Sequence, residues 1–192
     1  MPSFSVDRVA GVLLGQAAGD ALGAGYEFTT PPPDAPIGPN GGGHFDWEPG
    51  EWTDDTQMAI CVAESAAKGL LDPMRVGRCF LDWHHSHPKD VGGQTSWVLG
   101  RAKGPEDLPG LADEYCRTHP RCAGNGSLMR TSPVALAYLG EPDRIAEAAR
   151  EVSGLTHGDP LCGDACVLWC LAIDRAVRHG EFDLAGGLDW LP

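Results

Sequence analysis

Two adjacent aspartates at the start of a predicted helix are the residues whose types first suggest chemistry. Asp54 and Asp55 directly follow Thr53, and a largely apolar run comes after them. Thr53 is a favourable helix N-cap, and acidic residues in a first turn complement the helix dipole. Capping explains one aspartate well, but two neighbouring carboxylates repel each other, and a bound cation would remove that conflict. One hydroxyl and two carboxylates are hard oxygen donors, suited to Mg²⁺, Mn²⁺ or Ca²⁺ rather than zinc.

Four further segments place polar residues at predicted turns or helix ends. Their candidate residues are Asp20, Glu27, Asp90, Gly124, Asn125, Gly126, Ser127, Thr156 and His157. The glycine-rich segment 124–127 could present backbone N–H groups to a phosphate or a ribose. Taken alone, however, a Gly-Asn-Gly sequence is most often only a turn.

Helices must position these residues, because helical periodicity runs through most of the chain and strand alternation is almost absent. The predicted helices cover about 6–23, 53–69, 73–87, 108–117, 132–140, 143–153 and 160–179. Residues 29–52, with six prolines and five glycines, are predicted to form a long irregular loop within a single domain, 1–192. The predicted fold class is therefore all-α.

The first predicted helix carries a glycine at every turn. Gly11, Gly15, Gly19 and Gly23 follow one another at four-residue spacing. A glycine inside a helix costs on the order of 1 kcal/mol relative to alanine. We therefore expect another backbone or a ligand to approach this face of the helix closely.

Composition and charge argue against several classes of function. The net charge of −13 disfavours nucleic-acid binding, because a polyanion would be repelled. No apolar run is long enough to span a membrane and no signal peptide is recognisable, so we expect a cytoplasmic protein without membrane contacts. The seven cysteines are then expected to be reduced thiols. Cys162, Cys166 and Cys170 are expected to serve as small apolar core residues.

In their order and separation, the five polar segments resemble the ADP-ribosylglycohydrolase family, which includes the dinitrogenase-reductase-activating glycohydrolase of nitrogen-fixing bacteria. GVLLGQAAGDALGAGYEF is similar to the opening helix of that family, and WTDDTQMAI is similar to its metal-binding motif. GNGSLMRTSPVAL and LTHGDP are similar to its ADP-ribose loop and to the Leu-Thr-His turn that follows. The resemblance covers residues 6 to about 175.

The resemblance implies a compact multi-helix fold and an enzyme that hydrolyses the bond at the anomeric carbon of ADP-ribose, commonly to an arginine side chain of a protein. It implies that Thr53, Asp54 and Asp55 ligate two divalent ions, Mg²⁺ or Mn²⁺. Glu27 would lie beside the metals, and Asp90 would assist proton transfer. The residues implied to line the ADP-ribose site are Gly124, Asn125, Gly126, Ser127, Met129 and His157.

One part of the family pattern is missing, because no Asp-x-Asp-Thr motif occurs near the C-terminus to complete the metal site. Three interpretations stay open: an N-terminal portion of a longer protein, half of a split enzyme with a C-terminal partner chain, or a natural short form. A short form would be an ADP-ribose-binding module with impaired catalysis. Self-association through an uncovered apolar surface is a further expectation. The acceptor (arginine, serine or a small molecule) and the choice between Mg²⁺ and Mn²⁺ also stay open.

Overall fold

Helices, the turns between them and one long loop form the fold described by the computed structural model, which covers residues 5–192. Residues 1–4 of the predicted domain lie outside this description. The α-helices are α1 (Val6–Gly23), α2 (Asp54–Ala66), α3 (Pro73–His85), α4 (Gly93–Leu99), α5 (Leu108–Thr118), α6 (Ser132–Ala137), α7 (Pro142–Gly154) and α8 (Pro160–His179). Short 3₁₀ helices cover Ala24–Tyr26, Pro105–Asp107, Asn125–Arg130 and Ala185–Trp190. Within 5–192 there is no strand beyond an isolated bridge between Gly42 and Trp47. The all-α prediction is confirmed.

Helix starts lie where the capping signals of the sequence indicate. Thr53 precedes α2, and its hydroxyl accepts a hydrogen bond from the Asp55 amide at 3.4 Å. Asp72 and Asp159 cap α3 and α8 in the same way, each accepting from an amide two residues further on at 2.9 Å. A proline in the first turn of α3 and α8 has no N–H to leave unpaired. These local contacts therefore fix the residues at which α2, α3 and α8 begin.

One prediction about the helices needs correction. Helix α4 is absent from the predicted set, because it has only seven residues and begins at the second of two glycines without a side-chain cap. It forms because Thr95, Val98 and Leu99 are buried against its neighbours.

The core lies between α2, α3, α6, α7 and α8. Met58, Phe80, Val134, Val152 and Val167 are each fully buried within it. Truncating a buried side chain of this kind to alanine typically costs about 2–5 kcal/mol. This core holds the start of α2 and the ends of α7 and of Asn125–Arg130 in fixed relative positions, and these are the segments that carry the candidate site.

The seven cysteines comprise five free thiols and one disulfide-bonded pair. Cys162, Cys166 and Cys170 are buried along α8, as expected for small apolar core residues. Cys116 and Cys122, in contrast, are joined as a disulfide between the end of α5 and the segment that precedes Asn125–Arg130. The expectation that all seven cysteines are reduced is therefore wrong for this pair, which the fold brings together across only six residues.

Residues 29–52 form the predicted irregular loop, and side chains tie it to the rest of the molecule. Trp47 is buried, and the ammonium of Lys89 lies 5.2 Å from the centre of its ring. Lys89 also pairs with Glu51 at 2.7 Å. The Tyr26 hydroxyl donates to the carbonyl of Gly38 at 3.1 Å. The loop thus packs beside the C-terminal end of α1, next to the candidate site.

The glycine face of α1 is not covered. A Cβ atom added at Gly11, Gly15 or Gly19 would meet no heavy atom within 4 Å among the described residues. Leu14 on the same helix is 70% exposed. The close approach expected for this face is therefore not made within residues 5–192. None of the helices of that range combines the length and the apolar character needed to cross a membrane.

Candidate active site

An open cavity of about 590 Å³ brings together segments that lie far apart in the sequence. It is bounded by the C-terminal end of α1, the N-terminal ends of α2 and α4, the Asn125–Arg130 helix and the turn after α7. One side, here called the acidic wall, consists of Glu27, Asp54, Asp55 and Asp90. A second part of the lining, here called the glycine wall, consists of Gly124, Asn125, Gly126 and His157.

Asp20 organises the start of the acidic wall, although the sequence suggests no specific role for it. Its carboxylate accepts hydrogen bonds from the amide and the hydroxyl of Thr53, at 3.0 and 2.8 Å. It also accepts from the amide and the hydroxyl of Thr56, at 3.0 and 2.6 Å. Asp20 thus satisfies N–H groups at the start of α2 from another helix. Neither Asp54 nor Asp55 is therefore needed as the cap of α2.

The acidic wall holds more negative charge than its burial favours. Burial, followed by the charges of Asp90 and Asp55, raises the pKa of Asp54 to about 7. Burial and then the charges of Asp20 and Glu27 raise the pKa of Asp55 to about 6. Burial is also the first cause of the raised pKa values of Glu27 and Asp90. Neighbouring carboxylates therefore impede the ionisation of Glu27, Asp54 and Asp55, and a cation between them would relieve the repulsion.

The chemistry of these donors fits hard divalent cations, while their placement provides only part of a coordination shell. Carboxylate and hydroxyl oxygens of Thr53, Asp54 and Asp55 are ligands of the kind that Mg²⁺ and Mn²⁺ prefer. Within residues 5–192, however, no three His, Cys, Asp or Glu side chains are grouped so that they could hold one metal ion. Further oxygen ligands would have to come from elsewhere.

The glycine wall is built by close packing of the Asn125–Arg130 helix against the turn after α7. A Cβ atom at Gly126 would lie 2.9 Å from Cε1 and 3.1 Å from Nε2 of His157, so a larger residue would displace the ring. Gln16 of α1 donates to the carbonyl of Met129 at 2.9 Å and reaches that of Asp55 at 3.3 Å. Gln16 therefore connects the acidic wall to the Asn125–Arg130 helix, a role for which the sequence gives no signal.

Most of the predicted binding residues reach the cavity, and one does not. Gly124, Asn125, Gly126, Met129 and His157 line it. Ser127, which was expected to line the site, is fully buried, and its hydroxyl accepts a hydrogen bond from that of Ser153 at 2.9 Å. The 3₁₀ geometry turns this side chain away from the cavity and into the core.

Residues of α4 complete the cavity. Gln94 and Thr95 line it, and the side-chain amide of Gln94 donates to the carbonyl of Thr156 at 3.1 Å. The polar residues that follow Asp90 are a sequence signal for them, but their position depends on a helix that the sequence does not predict.

Comparison with known proteins places the chain in a family. The family model described as ADP-ribosylglycohydrolase matches residues 1–192. The protein belongs to the ADP-ribosylglycohydrolase family. It is 37% identical over 182 residues to the ADP-ribosyl-[dinitrogen reductase] glycohydrolase of Rhodospirillum rubrum, a match that covers 90% of this chain and 58% of the relative. It is 31% identical over 170 residues to the ADP-ribosylarginine hydrolase Tri1 of Serratia proteamaculans, covering 85% of this chain and 46% of the relative.

A solved structure supports the same assignment. A chain of an ADP-ribosylglycohydrolase-related protein complex superposes with a TM-score of 0.70 at 33% identity. The match covers 91% of this chain and 58% of the solved chain. The present chain thus spans about half the length of the relatives that it matches.

Proposed function

We propose that this protein hydrolyses ADP-ribose from modified protein side chains, with arginine as the acceptor. The observation that carries the proposal is the cavity itself, which brings the acidic wall and the glycine wall together around a space of about 590 Å³. One wall offers carboxylates for water and metal, and the other offers backbone N–H groups and a histidine to a nucleotide. The names of the two relatives, which specify dinitrogen reductase and arginine, support the choice of substrate.

The acidic wall would handle the water and the proton. Hydrolysis breaks the bond between the anomeric carbon of the ribose and the acceptor nitrogen, through a transition state with oxocarbenium character. Asp90, a carboxylate with a raised pKa, would take the proton from the attacking water. Glu27, on the same wall, would orient that water and the ribose hydroxyls. The hydroxyl of the water would bond to the anomeric carbon, the departing guanidine nitrogen would take the proton from Asp90, and free ADP-ribose would be released.

Thr53, Asp54 and Asp55 would hold two Mg²⁺ or Mn²⁺ ions. When bound, such ions supply charge neutralisation and Lewis acidity next to the ribose. The proposal is supported by the hard oxygen donors and by the raised pKa values of both aspartates. The acidic character of the chain, with a net charge of −13, also suits a basic, arginine-bearing protein as substrate.

The segment that completes the site would come from the part of the relatives that this chain does not match. The open glycine face of α1 and the exposed side of α8 border a second groove of about 560 Å³, which also reaches Asp55. Its lining is mainly apolar and includes Gly11, Gly15, Trp169 and Phe182. We propose that a helix of this C-terminal segment, as a continuation of the chain or as a partner chain, lies in the groove. It would bring further ligands next to Asp55.

A second candidate function is an ADP-ribose-binding module without efficient turnover. The observation that favours it is the lack, within 5–192, of three grouped metal-binding side chains. In this case the glycine wall would bind ADP-ribose even when divalent ions are chelated, and no product would form.

One assay distinguishes the two functions. It measures the release of free ADP-ribose from an arginine-ADP-ribosylated protein. The 192-residue chain is assayed with Mn²⁺, with Mg²⁺ and with EDTA, alone and with the C-terminal segment of the Rhodospirillum rubrum relative added. Metal-dependent release in either form supports the hydrolase. Binding of ADP-ribose in calorimetry without release in either form supports the binding module, and neither binding nor release would refute both.

A further inference from the structure

Arg130 is a fully buried cation with no carboxylate partner. No ion pair among residues 5–192 includes it. Its guanidinium lies 4.4 Å from the ring centre of Phe80, and its Nη1 lies 3.6 Å from the sulfur of Met58. Its Nε has no hydrogen-bond partner in the described chain. Burying a charge without an ion pair is costly, so the polar contacts that Arg130 does make are informative.

The shortest of these contacts leads to the candidate site. Nη2 of Arg130 donates to the hydroxyl of Thr156 at 2.6 Å, and it reaches the carbonyl of Val152 at 3.4 Å. The hydroxyl of Thr156 is in turn 2.8 Å from Nδ1 of His157. Arg130, Thr156 and His157 therefore form a continuous polar chain that begins in the core and ends in the glycine wall.

The chemistry of the three groups sets the direction of this chain. A guanidinium can only donate, so the Thr156 oxygen accepts from Arg130. The hydroxyl has one proton, and Thr156 is fully buried, so that proton needs an acceptor. The only acceptor within reach among the described residues is Nδ1 of His157. Nδ1 must then be unprotonated, which places the imidazole proton on Nε2.

Nε2 lies on the ligand side of the ring. A Cβ atom added at Gly126 would be 3.1 Å from it, and one added at Gly124 would be 3.6 Å away, and both glycines line the cavity. Nε2 has no hydrogen-bond partner among residues 5–192. A donor that the fold leaves unpaired at the wall of a cavity is available to an acceptor on a ligand.

We propose that Arg130 and Thr156 fix His157 as its neutral Nε2–H tautomer, so that the glycine wall presents a permanent hydrogen-bond donor to the cavity. Arg130 and Thr156 are positioning residues in this scheme, since neither lines the cavity. The group recognised is an oxygen acceptor, such as a phosphate or hydroxyl oxygen. Its identification as part of ADP-ribose rests on the proposed function.

Two further features agree with a neutral histidine. Burial and then the charge of Arg130 lower the pKa of His157 to about 3. The ring is also held from the backbone side, where the His157 amide donates to the carbonyl of Ser153 at 2.9 Å. A protonated ring would donate from Nδ1 and would compete with Arg130 for the same oxygen of Thr156.

The test is the tautomer of His157, read from two-bond ¹H–¹⁵N correlations of the imidazole in the free protein. Wild type is expected to have the proton on Nε2 throughout pH 5–8. Thr156→Val keeps the shape but removes the hydroxyl, and we expect it to show a mixture of tautomers. Thr156→Ser restores a hydroxyl and should restore the wild-type pattern. Thr131→Val, a change at a second fully buried threonine, is the matched control and should leave the pattern unaltered.

A wild-type proton on Nδ1, or a Thr156→Val spectrum identical to wild type, would overturn the proposal. Arg130→Met is a second variant, expected to release the Thr156 hydroxyl and to mix the tautomers as well. If Arg130→Met fails to fold by circular dichroism, the Thr156→Val and Thr156→Ser pair decides the question by itself.

Calorimetry with ADP-ribose separates this proposal from the proposed function. We expect Thr156→Val to weaken binding about tenfold and Thr156→Ser to recover it. If the tautomer follows the expected pattern while wild type does not bind ADP-ribose, the role of Arg130 and Thr156 in fixing the tautomer is supported and the assigned ligand is wrong. If wild type binds ADP-ribose and Thr156→Val binds it equally well with a fixed tautomer, the proposed role of Thr156 is wrong and the assigned ligand is supported.

Discussion

The pKa values of the titratable groups are shifted in opposite directions in the two walls of the cavity. In the acidic wall, burial and like charges raise the pKa values of Asp54 and Asp55 to about 7 and about 6. In the glycine wall, burial and a nearby cation lower the pKa of His157 to about 3. Both effects favour the neutral form of a titratable group. The acidic wall, however, has several carboxylates in one cavity, whereas the histidine has a hydrogen bond that suits its neutral state.

This difference indicates which parts of the site are complete. The glycine wall is preorganised, because the His157 ring, the Asn125–Arg130 helix and the buried Thr156 contact one another within residues 5–192. Hydrogen bonds between Asp20 and Thr53 fix the backbone at the start of the acidic wall, but the carboxylates of this wall repel one another. We therefore expect changes in the acidic wall to affect metal and turnover, and changes in the glycine wall to affect nucleotide affinity.

The largest effect is expected for the double change Asp54→Asn and Asp55→Asn. Metal-dependent release of ADP-ribose should fall by more than about a hundredfold, since even residues outside the ligand shell typically contribute about 10–100-fold. Titration with Mn²⁺ should show binding by wild type and not by the variant. Asp82→Asn, at an exposed position of α3, is the control and should behave as wild type. Unchanged turnover in the double variant would contradict the metal assignment.

A smaller effect, confined to nucleotide affinity, is expected for Gly126→Ala. The added Cβ would lie 2.9 Å from Cε1 of His157, and the ring cannot move without losing its bond to Thr156. We expect ADP-ribose affinity to fall about 10- to 100-fold in calorimetry, while Mn²⁺ binding is retained. Gly110→Ala, at a glycine of α5 with open space around it, is the matched control. Equal losses of metal and nucleotide binding would mean that the walls are not independent.

The two walls should also give opposite pH dependence of stability in metal-free protein. The folded state binds a proton at Asp54 more tightly than the unfolded chain does, so this residue makes the free energy of unfolding fall as pH rises from about 4 to about 7. His157 acts in the other direction, since the unfolded chain gains a proton below about pH 6.5 and the folded state only near pH 3. Its contribution is lost as pH falls through that window.

Urea unfolding at several pH values separates these contributions. Asp54→Asn should be more stable than wild type at pH 7 by on the order of 2–4 kcal/mol, with the difference vanishing near pH 4. In His157→Gln, the free energy of unfolding should fall less than in wild type as pH falls from about 6.5 to 3. Saturating Mn²⁺ should remove the advantage of Asp54→Asn at pH 7, because a bound cation stabilises the ionised wild type. The proposed difference between the walls would be wrong if the contributions of Asp54 and His157 to the free energy of unfolding changed with pH in the same direction.

The smallest effect is expected for Gly15→Ala on α1, which tests the proposed contact with the C-terminal segment. In this chain the position faces open space, so alanine should stabilise the helix by about 0.5–1 kcal/mol in thermal or urea unfolding. The same change should weaken association with the C-terminal segment of the Rhodospirillum rubrum relative, because a side chain would prevent close approach of a second helix. Gly154→Ala, another glycine in open space, should not affect association. Equal association for both variants would remove the groove as the docking site.

Much of the fold is predictable from local signals. Caps and prolines at Asp72 and Asp159 set the starts of α3 and α8, because side-chain oxygens there satisfy N–H groups that a helix leaves unpaired. Helix α4 is not predictable in this way, because burial of three side chains, rather than a capping signal, makes it helical. The Cys116–Cys122 disulfide is not predictable either, because pairing depends on how close the fold brings two thiols.

The candidate site is predictable in its residue types and less so in its contacts. The polar segments, through their family resemblance, indicate the residues of both walls from the sequence alone. The inward turn of Ser127 and the bridging by Gln16 have no such signal, since each depends on the orientation of a helix relative to distant partners.

By itself, the sequence determined the all-α class, most helix boundaries and the family, because periodicity, capping and short motifs are local properties of the chain. Only the tertiary structure decided that Asp20 caps α2 from another helix and that Arg130 reaches His157 through Thr156. The contacts of Asp20 with α2 and of Arg130 with Thr156 join residues between 26 and 36 positions apart. Their energies depend on burial and direction, which exist only once the helices have packed.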